Sequence, residues 1–316
     1  MSWQTVTPQT FELGESPFWH PDEQALYWVD IPGRSVYRQV GAGSASSGPA
    51  ERWAMPSEPG SIAPARDRLG QPCGLVIALR DGIYRAPVWG GGLTLLVSGA
   101  HDSATTRFND GKADPLGRFW AGTMYEPRTY PLAALFCVGG RAAPELTRMT
   151  GNATIANGLA WSPDAATLYW ADTPSHAIRA WDWNASTNTL SRERLFKQWP
   201  VKPAANASAS TAYDGRPDGA AVSANGHYFA AMYEGGQLME LSPQGDVLAH
   251  WPVPARCPTM ACFGGPDLKT LFVTTARQHR PADELLRWPD SGCVFSKRVD
   301  APGLPVNFFR DDCWPA

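Results

Sequence analysis

The chain has 316 residues, 43% of them hydrophobic and 18% charged, a composition that suits a folded globular protein and argues against disorder. A net charge of −3 without any basic run gives no reason to expect nucleic acid or an anionic membrane as a partner. The 14 Trp, 30 Gly and 29 Pro point to strands and turns, and no long stretch keeps a helical period.

In chain order, the start Met1-Ser2-Trp3-Gln4 has neither a charged nor an apolar leader region, so no signal peptide is expected. Glu15 follows in Leu13-Gly14-Glu15-Ser16-Pro17-Phe18-Trp19, where a carboxylate just ahead of core aromatics has little reason to be solvated surface. Taken alone it reads as a turn carboxylate accepting backbone amides. Strands are expected over 25–29, 35–40, 75–79, 135–138, 168–171 and 177–183, each a short β-branched and aromatic run. Turns separate them at Arg80-Asp81-Gly82, Pro115-Leu116-Gly117 and Pro243-Gln244-Gly245-Asp246. Segments 41–49 and 201–212 are loop-like, the second read as a solvated insertion. His20, His101, His227 and His250 fall at turns or strand edges and read as surface, whereas His176 and His279 are compatible with a pocket wall. The six cysteines have no metal-like spacing, which favours reduced thiols and a cytoplasmic protein; Cys313 is expected near an exposed tail. No apolar stretch approaches the ~20 residues of a membrane span.

Three stretches repeat one another. Trp19-His20-Pro21-Asp22 with Leu26-Tyr27-Trp28-Val29-Asp30 aligns without a gap on Trp161-Ser162-Pro163-Asp164 with Leu168-Tyr169-Trp170-Ala171-Asp172. In that register Glu15 falls on Asn157, and a third copy running from Val222 to Ala230 places Asp218 on the same spot. A fourth copy brings Asn109, in Arg107-Phe108-Asn109-Asp110-Gly111-Lys112, to that position. Weaker copies begin near Gly60 and Thr259. Six units of about 50 residues, near the ~40–50 of a propeller blade, predict an all-β, six-bladed β-propeller of four-stranded antiparallel blades spanning 1–316 as one domain. Equivalent positions of a radial array converge on its axis. Two carboxylates and an amide oxygen meeting there make a divalent-cation site in the central channel with Glu15, Asn157 and Asp218 as ligands, and three protein ligands leave positions open for catalysis. Arg107 and Asn109 have the donors to hold an oxygen-rich substrate; Asp110 and Lys112 have weaker claims, because side chains alternate along a strand. In isolation, Asn157-Gly158 and Pro217-Asp218-Gly219 read as ordinary turns, and the stretch from Arg107 as a charged hairpin rim.

These segments, together with Asp114 to Met124 and Cys262-Phe263-Gly264-Gly265, resemble the gluconolactonase, senescence-marker-protein (regucalcin) and luciferin-regenerating family in order along most of the chain. The resemblance implies a propeller with a channel metal that hydrolyses sugar lactones. It carries the metal-ligand roles to Glu15, Asn157 and Asp218, an acid/base role to Asp218, and substrate contacts to Arg107, Asn109 and Glu126, the last as the glutamate nearest to Gly122-Thr123-Met124. The expected cofactor is one divalent cation among Ca, Zn, Mn, Mg and Fe(II), the expected partner a small sugar lactone, and the expected state a monomer. Rival readings keep the metal for non-sugar lactones or phosphotriesters, or make the chain a non-enzymatic calcium- or protein-binding propeller; a metal-free strictosidine-synthase-like propeller is disfavoured by the acid–amide–acid set.

Overall fold

A computed structural model describes residues 2–44, 47–139, 144–202 and 213–310. Within that range every repeat folds as a sheet, giving five sheets of four strands and one of five. The innermost strands of blades one to six are Gly14–His20, Ser61–Arg66, Thr106–Ala113, Ala156–Trp161, Arg216–Val222 and Pro258–Gly264. Burial falls from the axis outward: Gly14–His20 is buried throughout, whereas the outer strands Glu51–Ala54 and Val247–Pro252 are largely exposed. Antiparallel neighbours joined by short turns account for this order.

The repeated Tyr-Trp pair shows why blades pack side by side. Successive residues of a strand face opposite ways, so Tyr27 enters the apolar cluster between blades one and two while Trp28 enters the one between blades six and one. Tyr169 and Trp170 do the same on the two sides of blade four. Six such clusters fill the six inter-blade seams, and each buried large side chain contributes about 1.5–3 kcal/mol.

The ring is closed by the N-terminal strand Gln4–Thr5, which completes blade six by pairing with Phe295 and Ser296. At the other terminus Phe309–Arg310 adds a parallel strand to Ser61–Arg66. On its way there the chain crosses the lower end of the channel, Leu304 N donating to Val222 O at 3.1 Å and Arg310 N to Gly117 O at 3.0 Å. Residues Leu304 to Asn307 wall an apolar pocket at that end, and the polar mouth lies at the opposite one.

His20, read as surface, is 1% exposed. It ends an inner strand, accepts Glu23 N at Nδ1 (3.2 Å) and meets Phe308 edge-on, and burial lowers its pKa. Most of the 201–212 segment and Cys313 lie outside the described residues; the other five cysteines are free thiols.

Candidate active site

Four inner strands carry a β-bulge at the register position singled out by the repeats. Pairing slips between Glu15 and Phe18, Asn157 and Ala160, Pro217 and Ala220, and Phe108 and Gly111. An extra residue bends the strand and re-aims its side chains, so Glu15 and Asn157, last before their bulges, and Asp218 and Asn109, first within theirs, all wall one pocket of about 440 Å³ at the channel mouth. Ser16 and Gly158, matched in the repeat, both take left-handed backbone at φ 48° and 61° to make the bend.

Glu15, Asn157 and Asp218 are each clamped from the neighbouring blade through the carbonyl just before them. Thr259 Oγ1 donates to Gly14 O at 2.5 Å, Asn109 Nδ2 to Ala156 O at 2.9 Å and Thr173 Oγ1 to Pro217 O at 2.8 Å. The repeated aspartates brace the approach: Asp30 accepts Glu12 N and Leu13 N, and Asp172 accepts Thr154 N and Ile155 N.

These contacts orient the amides. Asn109 Oδ1 accepts Arg107 Nη1 at 2.7 Å while its Nδ2 faces the Ala156 carbonyl, so the Asn109 nitrogen must point at Asn157 Oδ1, 3.0 Å away. Asn157 Nδ2 in turn donates to Thr173 Oγ1 at 2.7 Å. The Asn157 oxygen is thereby turned away from Thr173 and keeps one lone pair beyond the Asn109 contact. Both Asn109 amide hydrogens are engaged, which leaves that residue only its oxygen for further bonding.

Glu15 and Asp218 are 5% and 6% exposed. Burial first, then like charge, pushes both carboxyls up: Asp218 and Asp110 act on Glu15, and Asp110 acts on Asp218. Two buried acids in repulsive reach are a costly arrangement for a bare protein and a fitting one for a hard dication, and the Asn157 oxygen adds a neutral donor. Among the described residues no group of three or more His, Cys, Asp and Glu side chains is disposed to hold a metal; the axial set counts two carboxylates and an amide.

Asp110 and Lys112 serve the wall beneath. Asp110 Oδ2 accepts Leu159 N at 2.9 Å, and Lys112 Nζ donates to Leu159 O at 2.8 Å and Ala220 O at 2.7 Å, tying blades three, four and five together. Above the ring, Arg107 is 6% exposed and donates to Phe108 O, Asn109 Oδ1 and Met124 Sδ; burial lowers its pKa to about 10. Glu126 stands at the rim, gripped by two Arg80 nitrogens at 3.0 Å and lying 3.8 Å from Arg107 Nε. All six residues proposed from sequence therefore wall the same pocket. His279 also lines it, and His176, 2% exposed, does not.

Sequence reading missed Thr173, Arg80 and Arg216. The third was within reach, since Arg216 stands two residues before Asp218 as Arg107 stands two before Asn109, and side chains two apart share a face. Thr173 had no signal, because its counterpart in the first repeat is Ile31.

Comparison with known proteins follows the same lines. The family described as SMP-30/gluconolactonase/LRE-like region matches residues 13–277. A 6-deoxy-6-sulfogluconolactonase of Pseudomonas putida is 38% identical over 304 residues, covering 96% of this chain and 97% of the relative. A regucalcin of Danio rerio is 30% identical over 305 residues, covering 96% of each. Among solved structures, a calcium-binding protein, regucalcin, from Agrobacterium tumefaciens superposes with a TM-score of 0.86 at 25% identity, covering 98% of this chain and 97% of the other.

Proposed function

The chain belongs to the SMP-30/gluconolactonase/LRE-like family of lactone hydrolases, and from that premise we propose that it opens a sugar lactone to the aldonic acid with the help of one divalent cation at the axial ring. The observation that carries this reading is the convergence of two charge-strained buried carboxylates and one oriented amide oxygen at the floor of a polar pocket.

Glu15, Asn157 and Asp218 would hold the cation, which when bound supplies Lewis acidity to the lactone carbonyl and lowers the pKa of water beside it. Asp218 takes a proton from the attacking water and returns it to the ring oxygen as the C–O bond breaks, so that lactone plus water becomes hydroxy acid. Arg107 supports the substrate's hydroxyl groups with its donor fork, fixed by Asn109, and the Asn109 oxygen accepts. Glu126, anchored by Arg80, offers a carboxylate at the rim as a further hydroxyl acceptor. Oxygen ligands favour Ca, Mg or Mn and admit Zn or Fe(II). Five free thiols support a reducing, cytoplasmic setting, and no described helix is long and apolar enough to cross a membrane.

The test is hydrolysis of an aldonolactone panel by chelated protein with single divalent metals added back. Turnover restored by one metal on polyhydroxylated lactones is the expected result. Cation binding without any turnover would move the reading to phosphotriesters or to a non-enzymatic calcium-binding propeller.

A further inference from the structure

The pocket mouth has two charged flanks, and their arginines differ in one respect. On the flank of blades two and three, Arg107 commits three of its five N–H donors, to Phe108 O, Asn109 Oδ1 and Met124 Sδ, and Arg80 binds Glu58, Glu126 and Ser103 O. On the opposite flank Arg216 lines the pocket with its guanidinium over Tyr233, paired only by charge with Glu234 at 3.1 Å. No hydrogen bond is formed by any of its side-chain nitrogens within the described residues, and Nε is buried without an acceptor. A guanidinium carries five N–H donors, and a buried one left without an acceptor at a pocket wall is costly unless a ligand supplies an oxygen.

The surroundings set the charge of that ligand. Glu234 is shared by Lys202 at 2.7 Å, Arg280 at 3.0 Å and Arg216, while Glu284 takes up Arg280 at 2.6 Å. Three cations face two carboxylates, a surplus of one positive charge. Arg34, Arg80 and Arg107 against Glu58 and Glu126 leave the same surplus on the other flank. A dication would balance Glu15 and Asp218, so the mouth keeps a positive field that draws anions and repels cations.

Position decides which part of the substrate Arg216 meets. Its Cα lies roughly 7 Å along the strand from that of Asp218, and its guanidinium turns to Tyr233 and Glu234, which puts it beside a ring substituent instead of the reacting carbonyl. Building on the lactonase reading, we propose that Arg216, supported by Arg280, forms an anion subsite, and that the substrate is an aldonolactone bearing a strong-acid substituent, a sulfonate or a phosphate, remote from the carbonyl. Arg216 is then the residue that separates acidic from neutral lactones. Three tetrahedral oxygens can satisfy its idle fork, which a hydroxyl cannot.

The test compares kcat/KM for a neutral gluconolactone and its 6-phospho and 6-sulfo analogues in wild-type protein, Arg216→Gln and Arg216→Lys. The expected result is a wild-type preference for an acidic lactone that declines with added salt. Arg216→Gln cuts the acidic-to-neutral ratio about tenfold or more, chiefly through KM, and Arg216→Lys recovers part of it. The phospho and sulfo arms distinguish the two acids. Equal loss on neutral and acidic lactones, or no acidic preference in the wild type, overturns the subsite. If no lactone is opened, the lactonase reading fails separately, and the subsite is judged by calorimetric titration with methanesulfonate against chloride. Saturable binding weakened in Arg216→Gln supports it, and its absence overturns it.

Discussion

Thr173→Val replaces a hydroxyl by a methyl of nearly the same shape and isolates what one oxygen does for the ring. Thr173 is 5% exposed, accepts Asn157 Nδ2 at 2.7 Å and donates to Pro217 O at 2.8 Å, so two residues in different blades lose their orienting partner at once. Each buried polar group left unpaired costs about 1–3 kcal/mol, which puts the loss of folding stability for the two groups at about 2–6 kcal/mol. The same change frees the Asn157 amide to turn and loosens the carbonyl ahead of Asp218, and removal of a partner behind a metal ligand typically lowers metal affinity ~10–100-fold. Urea unfolding of the metal-free chain reads the first effect and calorimetric titration with calcium reads the second. Thr173→Ser keeps the hydroxyl and recovers both. A Val variant with wild-type urea midpoint and wild-type calcium affinity would refute the clamp; loss of stability alone would leave Thr173 a packing residue with no bearing on the ring.

Three further predictions follow from the same geometry. Asp218→Ala abolishes metal-restored lactone turnover, with a loss of about 10²–10⁴ in kcat for the acid/base role alone, whereas Arg107→Ala mainly raises KM; steady-state kinetics with saturating metal separates the two, and full turnover in Asp218→Ala sinks the assignment. Gly158→Ala puts a methyl into overlap with Tyr228 Oη at a backbone φ of 61°, so it destabilises the fourth blade by about 1–3 kcal/mol, read as a lowered urea midpoint. Burial pushes the Glu234 carboxyl up, but Lys202, Arg216 and Arg280 outweigh it and hold its pKa below the ordinary 4.5. A depressed folded pKa means stability that is present above the unfolded value and lost as pH falls through the folded one. Glu234→Gln therefore flattens the decline of stability below about pH 4.5, and parallel wild-type and variant curves in that window would contradict the three-cation cage.

Much of this was legible because a repeat protein writes its geometry more than once. Glu15, Asn157 and Asp218 occupy one register position in three copies, and radial symmetry then requires them to face the axis. The Tyr-Trp and Asp elements of the same repeat were visible too, and their roles, filling seams on both sides of a blade and receiving the backbone amides ahead of the axial residue, follow from period-two alternation. Arg216 was also readable by that rule. His20 was misread because its turn-like neighbours suggest surface, while the tail residue Phe308 that meets its ring lies 288 residues away.

The sequence by itself determined the blade count and the shared register of the oxygen donors, since each is set by local periodicity and repeated register. Tertiary structure decided the clamps between blades: Thr259 on Gly14 O across 245 positions, Thr173 on Pro217 O across 44, and the tail across the lower mouth. It also decided that Arg107 is held by hydrogen bonds and Arg216 by charge, with its buried Nε left without an acceptor. Such contacts join segments that only ring closure brings together. No local pattern encodes them, because a hydrogen bond depends on the relative placement of two blades to within a few tenths of an ångström.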